Sequence, residues 1–168
     1  MTRFFETSQF VAVGLERVFR FFADPQNLPR ITDPKSQAKI ENLRLLAPEN
    51  HPGLAGAGSE IEISMRLFPP LPFRGRWLAR IVDFEYGSYF RDIQVRGPFA
   101  RFDHTHSFDA SGPGTIIHDV VEYDVGFGKL GSVANALFVR RALSEMFDYR
   151  QRATDRLLSG KEAYTHLR

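Results

Sequence analysis

The feature of this sequence that most restricts its fold is a run of six alternating segments followed by one long helical pattern. The strand candidates cover 37–47, 59–68, 74–85, 88–96, 101–109 and 115–125, and turns rich in Gly and Pro separate them. A strand at 3–13 and two short helical stretches come first, and the helical pattern covers about 129–159. This order predicts an α+β fold in which a curved antiparallel sheet of about seven strands wraps around the C-terminal helix.

Composition indicates one globular domain that spans 1–168. Acidic and basic residues are dispersed, with a net charge of +2, so we expect no nucleic-acid partner. The chain has no Cys and no apolar run long enough for a signal peptide or a membrane span, and we expect a cytoplasmic protein. The 16 Phe residues predict an aromatic core or pocket.

Alternation also predicts which strand faces point inward. Most inward positions are apolar, but two histidines and one aspartate share these faces in the last two strands. The residues assigned to the inside are Ile61, Ile63, Met65, Trp77, Ala79, Ile81, Phe102, His104, His106, Phe108, Ile117, Asp119, Val121 and Tyr123.

The two histidines and Asp119 form the candidate polar site. If the last hairpin pairs Phe108 with Thr115, His104 lies opposite Asp119 and His106 lies opposite Ile117. A carboxylate on an inward face is costly unless it is paired, so we expect a hydrogen-bonded His104–Asp119 pair with no metal between them. The less favoured alternative is a divalent-metal site that also uses Asp92.

Several motifs carry a family resemblance. The segments "FRDIQVRGPFARFDHTHSF", "GTIIHDVVEYDVGFGKLG" and "MFDYR" resemble the START-like helix-grip (SRPBCC) superfamily, which includes polyketide cyclases/dehydrases and lipid-transfer proteins. The chain is most similar to the small bacterial SRPBCC ligand-binding group. The N-terminal "LERVFRFFADPQNLPRIT" extends the resemblance over nearly the whole chain, although Phe102 replaces an expected Trp and Gly126 an expected Pro.

The resemblance implies an apolar cavity between the sheet and the C-terminal helix, but no particular reaction, because this fold hosts carriers and enzymes. We therefore predict a protein that binds a small hydrophobic or amphipathic ligand, without a cofactor, in a cavity of a few hundred Å³ against residues 139–158. The predicted ligand-binding residues are Asp92, Gln94, His104, His106, Asp119, Tyr123, Trp77, Phe90, Phe102, Phe108, Met146, Phe147 and Arg150.

Two other functions remain open. A cyclase or dehydratase acting on a polyketide-like substrate would use His104 and Asp119 as an acid–base pair. An interaction module would use the groove for a protein segment. Arg150 either pairs with Asp92 or Asp119, or is a solvated helix charge.

Two apolar segments bear on ligand entry and assembly. Phe68, Leu71 and Phe73 stand at a proline-rich hairpin tip, which is a pocket rim, a transient membrane contact or a tip folded onto the core. The C-terminal helix carries two apolar stripes on different faces, which predicts a break near 138–141. The segment 130–138 is then a lid or a dimer interface, so both a monomer and a homodimer are compatible with the sequence.

Overall fold

The computed structural model describes residues 1–66, 74–126, 128 and 138–160. The strands are β1 (Arg3–Val11), β2 (Lys39–Arg44), β3 (Glu60–Arg66), β4 (Arg74–Glu85), β5 (Tyr89–Arg96), β6 (Arg101–Ser111) and β7 (Gly114–Asp124). The helices are α1 (Leu15–Ala23), two 3₁₀ turns (Pro25–Ile31 and Pro34–Ser36) and α2 (Arg140–Ser159). The strands form one antiparallel sheet in the order β1-β7-β6-β5-β4-β3-β2. This arrangement confirms the predicted α+β fold, and β1 and β2 leave the sheet open at two edges.

The first 3₁₀ turn begins where α1 ends, and Asp24 and Pro25 determine this boundary. The Asp24 side chain accepts a hydrogen bond from the backbone N–H of Gln26, and Pro25 occupies the first position of the turn. Val18 and Phe19 of α1 are buried against the sheet. The chain therefore leaves α1 and crosses the concave face of the sheet before β2 begins.

The β6–β7 hairpin has a different register from the predicted one. Ser111 pairs with Gly114, so the loop contains only Gly112 and Pro113, and Gly112 has a positive φ of 54° that favours glycine. Phe108 consequently lies opposite Ile117, not Thr115. The predicted register was wrong by two residues, and His106 rather than His104 lies directly opposite Asp119.

Helix α2 is attached to β1 by polar and aromatic contacts. The Gln151 side chain donates to Thr7 Oγ1 at 2.9 Å, and Gln9 Nε2 donates to the Gln151 carbonyl oxygen at 2.7 Å. Phe147 packs on Phe5 with 5.1 Å between ring centroids. The sheet and α2 thus enclose a buried layer from which the candidate site is built.

Two predicted features fall partly or wholly outside the described residues. The tip with Phe68, Leu71 and Phe73 lies outside them, as do residues 130–137 of the segment 130–138 that was predicted to form a lid or an interface. Helix α2 begins at Arg140, which is within the range of the predicted break. In the described part of the chain no helix has the length and apolar character needed to cross a membrane.

Candidate functional site

A cavity of about 160 Å³ opens on the concave face of the sheet. It is smaller than predicted, and most of its outer wall comes from the end of α1 and the first 3₁₀ turn. Helix α2 contributes only two lining residues. The lining residues are Phe21, Phe22, Ala23, Pro25, Asn27, Leu28, Ile31, Thr32, Ala55, Ile61, Ile63, Met65, Trp77, Ala79, Ile81, Phe90, Asp92, Phe102, His104, His106, Met146 and Arg150.

The charged and imidazole side chains that line the cavity come from neighbouring elements. Asp92 on β5 is paired across the sheet with His104 on β6, and His106 stands two residues further along on the same face. The two imidazole centroids are 3.9 Å apart. Arg150 reaches this end of the cavity from α2. These four residues form what we call the polar end of the cavity.

Asp119 lies against both histidines and is 3% exposed. Its Oδ1 is 3.2 Å from His104 Nε2, in the predicted hydrogen bond, and 2.6 Å from His106 Nδ1. The angle of the second contact is unfavourable for a hydrogen bond. Burial alone would raise the Asp119 pKa, but the imidazoles, His106 above all, more than offset burial and hold the pKa below its usual value. Asp119 is therefore an ionised carboxylate inside the protein.

Burial moves the pKa values of three other groups towards their neutral forms. It raises the Asp92 pKa, which His104 and Arg150 partly counteract. It lowers the His104 pKa, and His106 acts in the same direction while Asp119 opposes both effects. It also lowers the Arg150 pKa against the attraction of Asp119 and Asp92. The polar end thus stabilises neutral imidazole at His104 and disfavours uncompensated charge at Asp92.

Among the described residues, Arg150 is held by contact with an aromatic ring and not by an ion pair. Its guanidinium carbon lies 5.2 Å from the centroid of the Phe147 ring. Its buried Nε has no hydrogen-bond partner among residues 1–66, 74–126 and 138–160. Arg150 therefore points inward and lines the cavity, but among the described residues it forms no ion pair with Asp92 or Asp119, so it matches neither predicted alternative fully.

The structure separates the predicted binding residues into two groups. Trp77, Phe90, Phe102 and Met146 line the cavity together with the polar end. The others lie outside its lining. Gln94 bonds to both backbone polar groups of Phe99, Phe108 packs edge-on against Phe19, Tyr123 and Phe147 are buried in the core next to Leu143, and Asp119 lies behind the histidines.

Sequence reasoning missed the wall that the 3₁₀ segment provides. Phe21, Leu28 and Ile31 line the cavity, and Asn27 is fixed there because it donates to the Phe21 carbonyl and accepts from Arg30. The available signal was that two apolar residues, Leu28 and Ile31, are three positions apart, which is the repeat of a 3₁₀ turn. The proline within this segment obscured it.

Comparison with known proteins identifies the fold. A protein from Thermus thermophilus is 18% identical, with a TM-score of 0.68 over 95% of this chain and 99% of that protein. A START superfamily protein from Mycobacterium smegmatis is 14% identical, with a TM-score of 0.68 over 94% and 97%. A norcoclaurine synthase from Thalictrum flavum, solved with a transition-state analogue, is 17% identical, with a TM-score of 0.63 over 96% and 97%.

No protein-family model matches the sequence, and no curated protein matches it. The structural likenesses are all below 25% identity, so they show the fold alone. The chain has the helix-grip fold of START-like proteins, as the sequence motifs predicted.

Proposed function

We propose that this protein binds a small apolar ligand of about one ring, with a polar substituent directed at Asp92, His104, His106 and Arg150. The observation that carries the proposal is a cavity whose walls are mostly apolar and whose charged and imidazole side chains are gathered at this one end, with Asn27 and Thr32 as the other polar lining residues. Its volume of about 160 Å³ is close to that of an engineered apolar cavity of about 150 Å³ in another protein, which binds benzene. An apolar pocket with a few convergent polar groups is the usual form of a small-molecule site.

The Arg150 Nε, which has no hydrogen-bond partner in the described part of the chain, supports a ligand with an oxygen substituent. A buried donor without an acceptor costs about 1–3 kcal/mol, and a ligand oxygen would remove that cost. The proteins of the same fold also support a small-molecule role, because one of them is a synthase that was crystallised with a transition-state analogue. A carrier or sensor that releases the ligand unchanged is the simplest function of such a site.

Titration with p-cresol and toluene, followed by NMR of the backbone amides, tests the proposal. We expect saturable binding of both compounds, with p-cresol tighter because only its hydroxyl reaches the polar end. Ala79→Leu places three extra carbons in the cavity and should weaken p-cresol binding at least tenfold. Ala110→Leu is the matched control, since Ala110 is exposed at the end of β6 and lies outside the cavity lining. Absence of saturable binding, or equal affinity in Ala79→Leu and wild type, would refute the proposal.

A second candidate function is a cyclase or dehydratase. It is favoured by His104, which is held at Nε2 by Asp119 and lines the cavity, the arrangement of an oriented general base. Incubation with poly-β-ketone thioesters, followed by mass spectrometry, should then show conversion that His104→Gln abolishes while p-cresol binding persists. Identical product profiles with and without the wild-type protein would contradict the enzymatic function, and ligand binding would then be the remaining proposal.

A further inference from the structure

Three potential metal-ligating atoms converge at the polar end of the cavity. Asp92 Oδ2 lies 3.8 Å from one nitrogen of His104, Nδ1, and 4.0 Å from one nitrogen of His106, Nε2. Each of the three residues offers one ligand atom, and these atoms all lie within 4.8 Å of one another. Both measured distances exceed hydrogen-bond length, so the three groups do not satisfy each other.

Asp119 determines which histidine nitrogens are available. Its Oδ1 lies against His104 Nε2 and His106 Nδ1, so one nitrogen of each ring is directed at Asp119. The opposite nitrogens, His104 Nδ1 and His106 Nε2, face Asp92 and are the ones that could coordinate an ion there. A cation between Asp92 and these two nitrogens would give all three groups a common partner, as buried ionisable groups require.

We propose that Asp92, His104 and His106 bind one divalent first-row transition metal ion, such as zinc or iron. Two imidazoles and one carboxylate suit these ions and leave further coordination positions open. Bonds of about 2.0–2.2 Å place ligand atoms roughly 3–3.5 Å apart, so the two distances from Asp92 to the histidines, 3.8 and 4.0 Å, and the limit of 4.8 Å that holds for all three atoms, must each shorten when the ion binds. Asp119 then orients both imidazoles from behind, as carboxylates commonly do at metal centres.

The geometry also indicates which ligand chemistry the ion would take. The open coordination positions face the cavity, because all three metal-ligating residues line it. The carboxylates of Asp92 and Asp119 would compensate the charge of the ion, and the Arg150 guanidinium lines the same end of the cavity. The metal-loaded site therefore selects a small molecule with an anionic oxygen on an apolar ring.

Cobalt titration of chelator-treated, untagged protein tests the metal site without any organic ligand. We expect one Co²⁺ per chain, visible d–d absorption, displacement by Zn²⁺ and a higher Tm with bound metal. Asp92→Asn keeps the shape of the side chain, and its contacts at 3.8 and 4.0 Å are not hydrogen bonds, so it should fold normally and lose at least a hundredfold in Co²⁺ affinity. Asp119→Asn should lose about 10–100-fold.

His118→Gln is the matched control, because His118 lies on the outer face, bonds to Ser8 and is 43% exposed at its side chain. It should leave Co²⁺ affinity unchanged. Folded wild-type protein that binds no Co²⁺ at millimolar concentration would overturn the proposal, and so would equal affinity in Asp92→Asn, or loss of affinity in His118→Gln. Circular dichroism of every variant separates loss of the site from loss of the fold. The outcome is independent of the p-cresol titration, which needs no metal.

Discussion

A single oxygen atom of Asp119, Oδ1, contacts both histidines of the polar end of the cavity. The carboxylate is inside the protein, yet it remains ionised because two imidazole nitrogens lie within 3.2 Å of that oxygen. His104 packs edge-on against Phe147, and His106 lies 4.5 Å from the Phe90 ring centroid, so aromatic side chains fix both imidazole planes. Rotation of the His104 ring away from Asp119 would leave a buried ring nitrogen without its hydrogen-bond partner.

Replacing Asp119 by alanine should therefore cost stability. We expect Asp119→Ala to lower the free energy of unfolding by about 1–3 kcal/mol, because His104 loses its hydrogen-bond partner and His106 loses the carboxylate that it contacts. Urea titration measures the change. Asp109→Ala is the control, since the Asp109 side chain is 69% exposed and contacts His118 at 3.6 Å on the surface, so its effect should be near zero. Equal losses in the two variants would show that the buried contacts of Asp119 contribute nothing net.

At the scale of single residues, the sequence was sufficient to predict which side chains face inward. Phe102, His104, His106 and Asp119 are buried as alternation predicted, because a strand reverses side-chain direction at every residue regardless of its partners. The role of Asp92 as a neighbour of both histidines depended on the β5–β6 register. That register is a pairing of distant segments, and no local pattern encodes it.

At the level of elements, the β6–β7 hairpin shows what alternation cannot detect. A register shift of one residue would have turned His104 and His106 outward, whereas a shift of two residues keeps every side chain on its face. The predicted pairing of Phe108 with Thr115 was wrong by two, and the inward assignment survived it. The tight loop at Gly112 and Pro113 determines the register, so the identity of the residue opposite Asp119 followed from turn geometry.

The turn between β5 and β6 depends on a close contact between Gln94 and Gly97. The Gln94 side-chain amide donates to the Phe99 carbonyl at 2.7 Å and accepts from the Phe99 N–H at 3.2 Å. A Cβ on Gly97 would overlap this amide. Gly97→Ala should therefore displace Gln94, break both bonds and lower the free energy of unfolding by about 1–3 kcal/mol.

Gly14→Ala is the matched glycine control for this measurement, because a Cβ at Gly14 meets nothing within 4 Å. Thermal or urea unfolding of both variants gives the comparison. The double variant Gln94→Ala with Gly97→Ala should lose less than the sum of the single changes, since the overlap is absent once Gln94 is truncated. Additive losses would show that the Gln94 amide does not oppose a side chain at position 97.

For the whole molecule, the position of the cavity differs from the prediction because a short segment occupies much of the concave face. The sequence predicted that the sheet and the C-terminal helix enclose the pocket directly. In the structure the 3₁₀ turn over Pro25–Ile31 crosses the face, and α2 reaches the cavity only with Met146 and Arg150. Such irregular segments pack according to the space that the sheet and helix leave, which hydrophobic periodicity does not describe.

Phe147 connects the packing of α2 to the polar end, and its removal should affect both stability and binding. Its side chain is 1% exposed, lies 5.4 Å from the His104 ring centroid and faces the Arg150 guanidinium. Phe147→Ala should lower the free energy of unfolding by about 3–5 kcal/mol, as expected for a buried Phe. It should also weaken binding of p-cresol in whatever fraction remains folded, since His104 and Arg150 both lose the ring that holds them.

Phe138→Ala is the control from the same region, because Phe138 is 64% exposed, and it should change the urea midpoint little. Equal midpoints for the two variants would mean that α2 is held to the sheet by other contacts, such as those of Gln151 with β1.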